Sequence, residues 1–229
     1  VATLLLWDVD GTLIRTRGIG AEVFDRAFQE VLGMTPTGRI QLSGKTDPQI
    51  VLEYLELMVV ERPEEHLPLV LKQVEAELAA AAELLADIGN ALPGIPELLS
   101  TLADTRGVHQ TLLTGNLVAN AAIKVTAFGL QRWLDLEIGA YGSDHADRTQ
   151  LVPIALDRAR RLRGLSVEPG DTWVIGDTAN DFACARAGGV HCLLVATGGS
   201  SADELRALGA DAVFDDLSDV DAVFKLLTG

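Results

Sequence analysis

Leu6-Trp7-Asp8-Val9-Asp10-Gly11-Thr12-Leu13 closes a short apolar run near the start of the chain and sets two carboxylates two residues apart where a strand must stop. In an extended chain the residue between them points the other way, so Asp8 and Asp10 leave the same face, and Gly11 lets the backbone turn at once. One carboxylate can then attack while the other handles protons. The competing use of such acids is to cap a turn or a helix, and the pair by itself leaves both uses open. The run from Val1 to Trp7 has no basic segment and passes straight into Asp8, so it reads as a buried strand and not as a signal peptide.

Runs of the same kind recur at Thr3 to Trp7, Gln110 to Leu113, Leu136 to Gly139, Thr172 to Ile175, Cys192 to Ala196 and Ala212 to Phe214, with helical patterns between the last five. Apolar strands alternating with helices predict an α/β protein, a doubly wound parallel sheet covered on both faces. Ligands of such sheets bind beyond the carboxyl ends of the strands, near a topological switch point.

The stretch from about Ile14 to Ala91 breaks the pattern and reads as helices alone. Ala21 to Leu32 places Val23, Phe24, Ala27, Phe28, Val31 and Leu32 on one side and stops at Gly33. Asp47-Pro48 reads as an N-cap followed by an N1 proline, and Pro68 to Ile88 as one long helix ending at Gly89. The organisation expected is therefore a core of residues 1–14 and 91–229 with an inserted α-helical domain, residues 15–90. The insert joins the core near Ile14 to Thr16 and again near Asn90 to Pro93, an arrangement that resembles a hinge.

With 229 residues, 48% hydrophobic and 22% charged, the chain can bury a substantial core, and no apolar stretch is long enough to cross a membrane. The net charge of −15 argues against a nucleic-acid partner, whose backbone demands a basic face. An anionic substrate would require the few cations, or a metal, to gather at one place. Cys184 and Cys192 lack metal-site spacing and read as free buried thiols in a reducing, cytoplasmic setting. Monomer and homodimer both remain open.

Three further motifs fall where the sheet would bring them beside Asp8. In Leu112-Leu113-Thr114-Gly115-Asn116, a hydroxyl and free backbone N–H groups stand between a strand and a helix, which suits a phosphate oxygen. In Val174-Ile175-Gly176-Asp177-Thr178-Ala179-Asn180-Asp181, one acid ends a strand and another follows a helical turn later; with Asp8 they form an oxygen-rich site suited to Mg²⁺. Arg148 lies in the polar loop Tyr141 to Gln150 ahead of a helix, where an arginine is ordinarily a solvated charge.

Together these residues resemble the haloacid dehalogenase superfamily of hydrolases, in particular its phosphoglycolate phosphatase-like branch with a helical cap. The resemblance spans the whole chain. It implies a Rossmann-like core and a mobile cap, and an Mg²⁺-dependent hydrolase of small phosphorylated metabolites, with phosphoglycolate as a candidate. Asp8 would be the nucleophile and Asp10 the acid and base. Mg²⁺ would be held by Asp8, the backbone carbonyl of Asp10 and Asp177, with Asp181 close by. Thr114 and Arg148 would hold the phosphoryl oxygens, and Gly11, Thr12, Gly115, Asn116 and the cap residue Lys45 would contact substrate. Arg148 stands where the family normally offers a lysine followed closely by prolines, and Pro153 comes later than that pattern expects. A β-phosphoglucomutase-like enzyme would share every core residue. A 2-haloacid dehalogenase would normally lack Asp10, and a non-catalytic phosphate-binding module would have no need of both acids.

Overall fold

The computed structural model describes residues 2–38 and 40–229; Val1, read above as the start of the first strand, lies outside them. The chain enters at β1 (Thr3–Trp7) and passes through β2 (Ile14–Arg15) into four helices, α1 (Ile19–Leu32), α2 (Asp47–Leu57), α3 (Pro63–Ala80) and α4 (Ala82–Ile88), before returning through β3 (Asn90–Ala91). Helix and strand then alternate: α5 (Ile95–Ala103), β4 (Val108–Thr114), α6 (Val118–Ala127), β5 (Ala140–Tyr141), α7 (Leu151–Arg163), β6 (Thr172–Gly176), α8 (Ala179–Gly188), β7 (His191–Val195), α9 (Ala202–Ala207), β8 (Ala212–Phe214) and α10 (Val220–Thr228).

Six strands form one sheet in the order β5-β4-β1-β6-β7-β8, with every neighbouring pair parallel. The order reverses at β1, so a crevice opens beyond its carboxyl end between β4 and β6. Alternation along β1 sends Leu5 and Trp7 into the layer under α5, α6 and α10, and Leu4 and Leu6 into the layer under α7 and α8. Both sets are fully buried, which is why this strand reads as a continuous apolar run. The next residue on the α7–α8 side is Asp8.

The four helices between β2 and β3 bury a core of their own, built on Phe28, Val51, Leu55, Val70 and Leu85. Its two connections to the sheet lie side by side, because Ile14 pairs with Ala91 and Arg15 with Asn90 in an antiparallel ladder. Strands of two residues have no alternation to read, so the sequence showed only helices here.

Three expectations need correction. Leu136 to Gly139 is not a strand: Asp135 accepts a hydrogen bond from the Glu137 amide, Leu136–Ile138 coils into a single 3₁₀ turn, and pairing with β4 begins only at Ala140. Nor is Pro68 to Ile88 one helix. It starts earlier, with Pro63 in the first turn, and breaks at Ala81; Pro68 sits inside, where its missing N–H frees only the carbonyl of the exposed Glu64. Thr46, not Asp47, caps α2, its hydroxyl accepting from the Gln49 amide. Asp47 is used elsewhere.

Candidate active site

Beyond Trp7 the backbone leaves the sheet and curls. The Val9 carbonyl accepts from the amides of Leu13 and Ile14, and Gly11 turns the chain at φ 87°. A Cβ at Gly11 would lie 2.5 Å from Asp177 Oδ2, so glycine serves both the turn and the close approach. This curl separates the partners of the two acids, although both still line one cavity.

Asp8 is buried at the end of the strand, where Arg148 Nη2 donates to its Oδ1 over 2.7 Å. The same nitrogen is hydrogen-bonded to Asp181 Oδ1, and Nη1 reaches the Gly44 carbonyl at 3.4 Å. Arg148 is only 6% exposed, far from the solvated loop charge that its surroundings in the sequence suggest. Burial works against its charge, but Asp181 and Asp8 outweigh that, and the guanidinium is held charged more firmly than an ordinary arginine.

Asp10 faces α6. Its Oδ2 accepts from Asn116 Nδ2 at 2.8 Å and from Lys124 Nζ at 2.6 Å, while Lys124 also donates to Asn116 Oδ1 at 2.6 Å. Asn116 Nδ2 is also 2.8 Å from Thr114 Oγ1, tying the end of β4 into the same network. Lys124 is the residue that sequence reasoning missed. A signal was present: Asn120 and Lys124 lie four residues apart on one face of α6, Asn116 stands just before the helix, and all three are buried.

The third group is acidic. Asp8, Asp177 and Asp181 each offer an oxygen within 4.8 Å of the others. Asp181 closes a capping box with Thr178 at the start of α8; its Oδ2 accepts from the Thr178 amide and hydroxyl and from the Asp177 amide. Asp177 has fewer bonds, chiefly one from Thr12 Oγ1 at 3.3 Å. Burial, reinforced by Asp181 and Asp8, pushes the Asp177 carboxyl up to about 9, and burial raises Asp8 to about 6 despite Arg148. Hard oxygens crowded together and reluctant to ionise are a donor set that a small divalent cation fits, since its charge offsets their repulsion. Asp177 and Asp8 have oxygen capacity to spare, whereas both oxygens of Asp181 are already engaged.

A segment of the helical insert closes over these groups. Asp47 Oδ2 accepts from the Leu117 amide at 2.8 Å, its own amide donates to the Gly115 carbonyl, and Thr46 Oγ1 donates to the Ala146 carbonyl. Gly115 permits this because the Lys45–Thr46 backbone occupies the place its Cβ would take. Lys45 is ion-paired with Glu53. A cavity of about 170 Å³ remains, with Asp8, Asp10, Lys124 and Arg148 on the sheet side and Phe24, Leu42, Lys45 and Ile50 on the other. Cys184 and Cys192 are buried free thiols.

Comparison with known proteins agrees with this geometry. Residues 150–220 match the HAD-hydrolase-like family model. The probable phosphatase IndB of Dickeya dadantii is 24% identical across 95% of this chain and 91% of its own, and a phosphoglycolate phosphatase of Cupriavidus necator is 27% identical across 96% and 92%. A predicted phosphatase from Clostridium acetobutylicum superposes with a TM-score of 0.73 at 18% identity, over 98% of this chain and 99% of its own. Residues 150–220 thus resemble the HAD-hydrolase-like family, and the similarity to proteins named as phosphatases runs over nearly the whole chain.

Proposed function

We propose that the protein is an Mg²⁺-dependent hydrolase of small phosphomonoesters that works through a phosphorylated Asp8. The observation that carries this reading is the meeting of Asp8, Asp10, Arg148 and Asp177 at one crevice, brought there by the three loops that follow β1, β5 and β6. Asp8 attacks phosphorus in line, forming a carboxyl–phosphate bond as the bond to the leaving oxygen breaks; Asp10 gives that oxygen its proton. Asp10, now a carboxylate, takes a proton from water as the water attacks the phosphorus, and the phosphate departs while Asp8 is restored. Arg148, Thr114 and the amides around Gly115 hold the non-bridging oxygens as charge shifts between them.

Mg²⁺ would be held by Asp8, the Asp10 carbonyl and Asp177. When bound it would supply charge that keeps nucleophile and phosphate from repelling each other. Asp181 supports the site indirectly, anchoring Arg148 and the turn at Asp177. Gly11 and Thr12 lie against Asp177, the first through its close approach and the second through its hydroxyl, while Asn116 ties Asp10 to Thr114. Residues 15–90 act as a cap, with Lys45 at the rim facing the organic part of the substrate.

The small cavity favours a compact metabolite, and the likeness to the Cupriavidus enzyme makes phosphoglycolate the first to try. Among the described residues no helix is long and apolar enough to cross a membrane. The free thiols support a cytoplasmic setting. Purified protein assayed with Mg²⁺ against phosphoglycolate, sugar phosphates and nucleoside monophosphates tests the reading. Turnover of at least one supports it; no release of phosphate from any of them, or turnover only with a bisphosphate activator, contradicts it.

A further inference from the structure

Helix α6 turns a lysine inward, among the apolar Ala121 and Val125. Burying an ammonium is costly unless it is paired, so its partners account for its presence. The ammonium has two hydrogen-bond partners, Asn116 Oδ1 and the Asp10 carboxylate, and Asp10 is its ion-pair partner. Lys124 Nζ and Asn116 Nδ2 converge on Asp10 Oδ2, from 2.6 and 2.8 Å. Among the described residues nothing bonds the other oxygen, Oδ1. Asp47 accepts from the Leu117 amide and Asn120 Nδ2, which ties the start of α6 to the segment before α2.

We infer that Lys124 is a positioning residue for Asp10: together with Asn116 it fixes Oδ2, so that Oδ1 is the oxygen that carries a proton to the leaving group. The inference rests on the acid role proposed for Asp10. In that step the bond from phosphorus to the leaving oxygen breaks, the Oδ1 proton passes to that oxygen, and the bond from Asp8 to phosphorus forms. A lysine that only stabilised the fold, or only held phosphate, would affect every substrate alike. One that aims the acid matters most where the leaving group cannot depart without a proton.

Two substrates of similar size separate these roles. p-Nitrophenyl phosphate releases a stable anion unaided, whereas benzyl phosphate must release an alcohol. The second-order constant kcat/KM reports the first chemical step, since attack by water follows phosphoryl transfer in both cases. The ratio of the two constants from one preparation does not depend on how much of it is folded. Lys124→Gln should lower kcat/KM for benzyl phosphate about tenfold more than for p-nitrophenyl phosphate, and Lys124→Arg should recover part of the difference. Asp10→Asn is the reference and should discriminate at least as strongly. An equal loss on both substrates for Lys124→Gln, beside a discriminating Asp10→Asn, would overturn the positioning role alone. Equal losses for Asp10→Asn would remove the acid role itself, and the inference with it.

Discussion

Arg148 stands where the family that the chain resembles normally offers a lysine, and its position would let an arginine take the role proposed for it. A lysine ammonium is a point charge, whereas a guanidinium bridges two carboxylates and still presents N–H groups to a phosphoryl oxygen. Arg148 does bridge Asp8 and Asp181, and its buried Nε has no partner among the described residues. Arg148→Ala should therefore cost about a hundredfold in kcat/KM, roughly 3 kcal/mol of transition-state stabilisation. It should also lower the melting temperature by leaving two buried carboxylates unpaired. Arg148→Lys should recover part of both losses. Steady-state kinetics with a melting curve for each variant checks this, and activity within a few-fold of wild type for both would return Arg148 to the status of a bystander.

At the scale of elements, the decisive contact is between the segment before α2 and the start of α6. Asp47 does for α6 what the sequence expected it to do for α2: it satisfies an orphan amide at a helix N-terminus, but on the other side of the cavity. Burial raises its carboxyl to about 6 from an ordinary 3.8, so the folded protein holds that proton more tightly than the unfolded chain. The resulting stability is present in full below about pH 4 and is lost as pH rises through 6, up to about 3 kcal/mol by neutral pH. Asp47→Asn keeps an acceptor for the Leu117 amide but cannot ionise. Denaturant unfolding from pH 4 to 7 should show the variant gaining on wild type as pH rises, because the raised carboxyls of Asp8 and Asp177 are common to both proteins and cancel. Parallel curves would mean that Asp47 ionises freely in the fold.

Across the whole molecule, a chain of net charge −15 gathers two buried cations, Arg148 and Lys124, at one crevice, where the proposed function needs an anion held. Their charge is largely taken up by Asp8, Asp181 and Asp10, so a phosphate bound as proposed would need a further cation. Activity should accordingly disappear on exhaustive chelation and return with Mg²⁺. Asp177→Ala should raise the Mg²⁺ concentration for half-maximal activity more than Asp181→Ala, because Asp177 has oxygens free for the metal. The reverse order would reassign the ligands.

The sheet was legible because β1, β6 and β7 are buried on both faces and written in Leu, Val, Ile and Cys, and the acids at their ends could be located from the strands alone. What escaped the sequence depends on contacts made far along the chain. The pairing of β2 with β3 joins residues some 75 positions apart. Lys124 is one lysine on a helix recognised by its apolar face, and only the fold reveals that its polar stripe is buried as well. Asp47 has the same local setting as an ordinary cap, and its true partner lies 70 residues away.

The central claim is that Asp8 is the nucleophile, and Asp8→Asn tests it with the least ambiguity. The amide has nearly the same shape but is a poor nucleophile, and it removes a buried charge, so the variant should fold with an unchanged circular dichroism spectrum. With p-nitrophenyl phosphate and saturating Mg²⁺ it should lose at least about a thousandfold in turnover, roughly 4 kcal/mol. Turnover close to wild type in a folded Asp8→Asn protein would contradict the account.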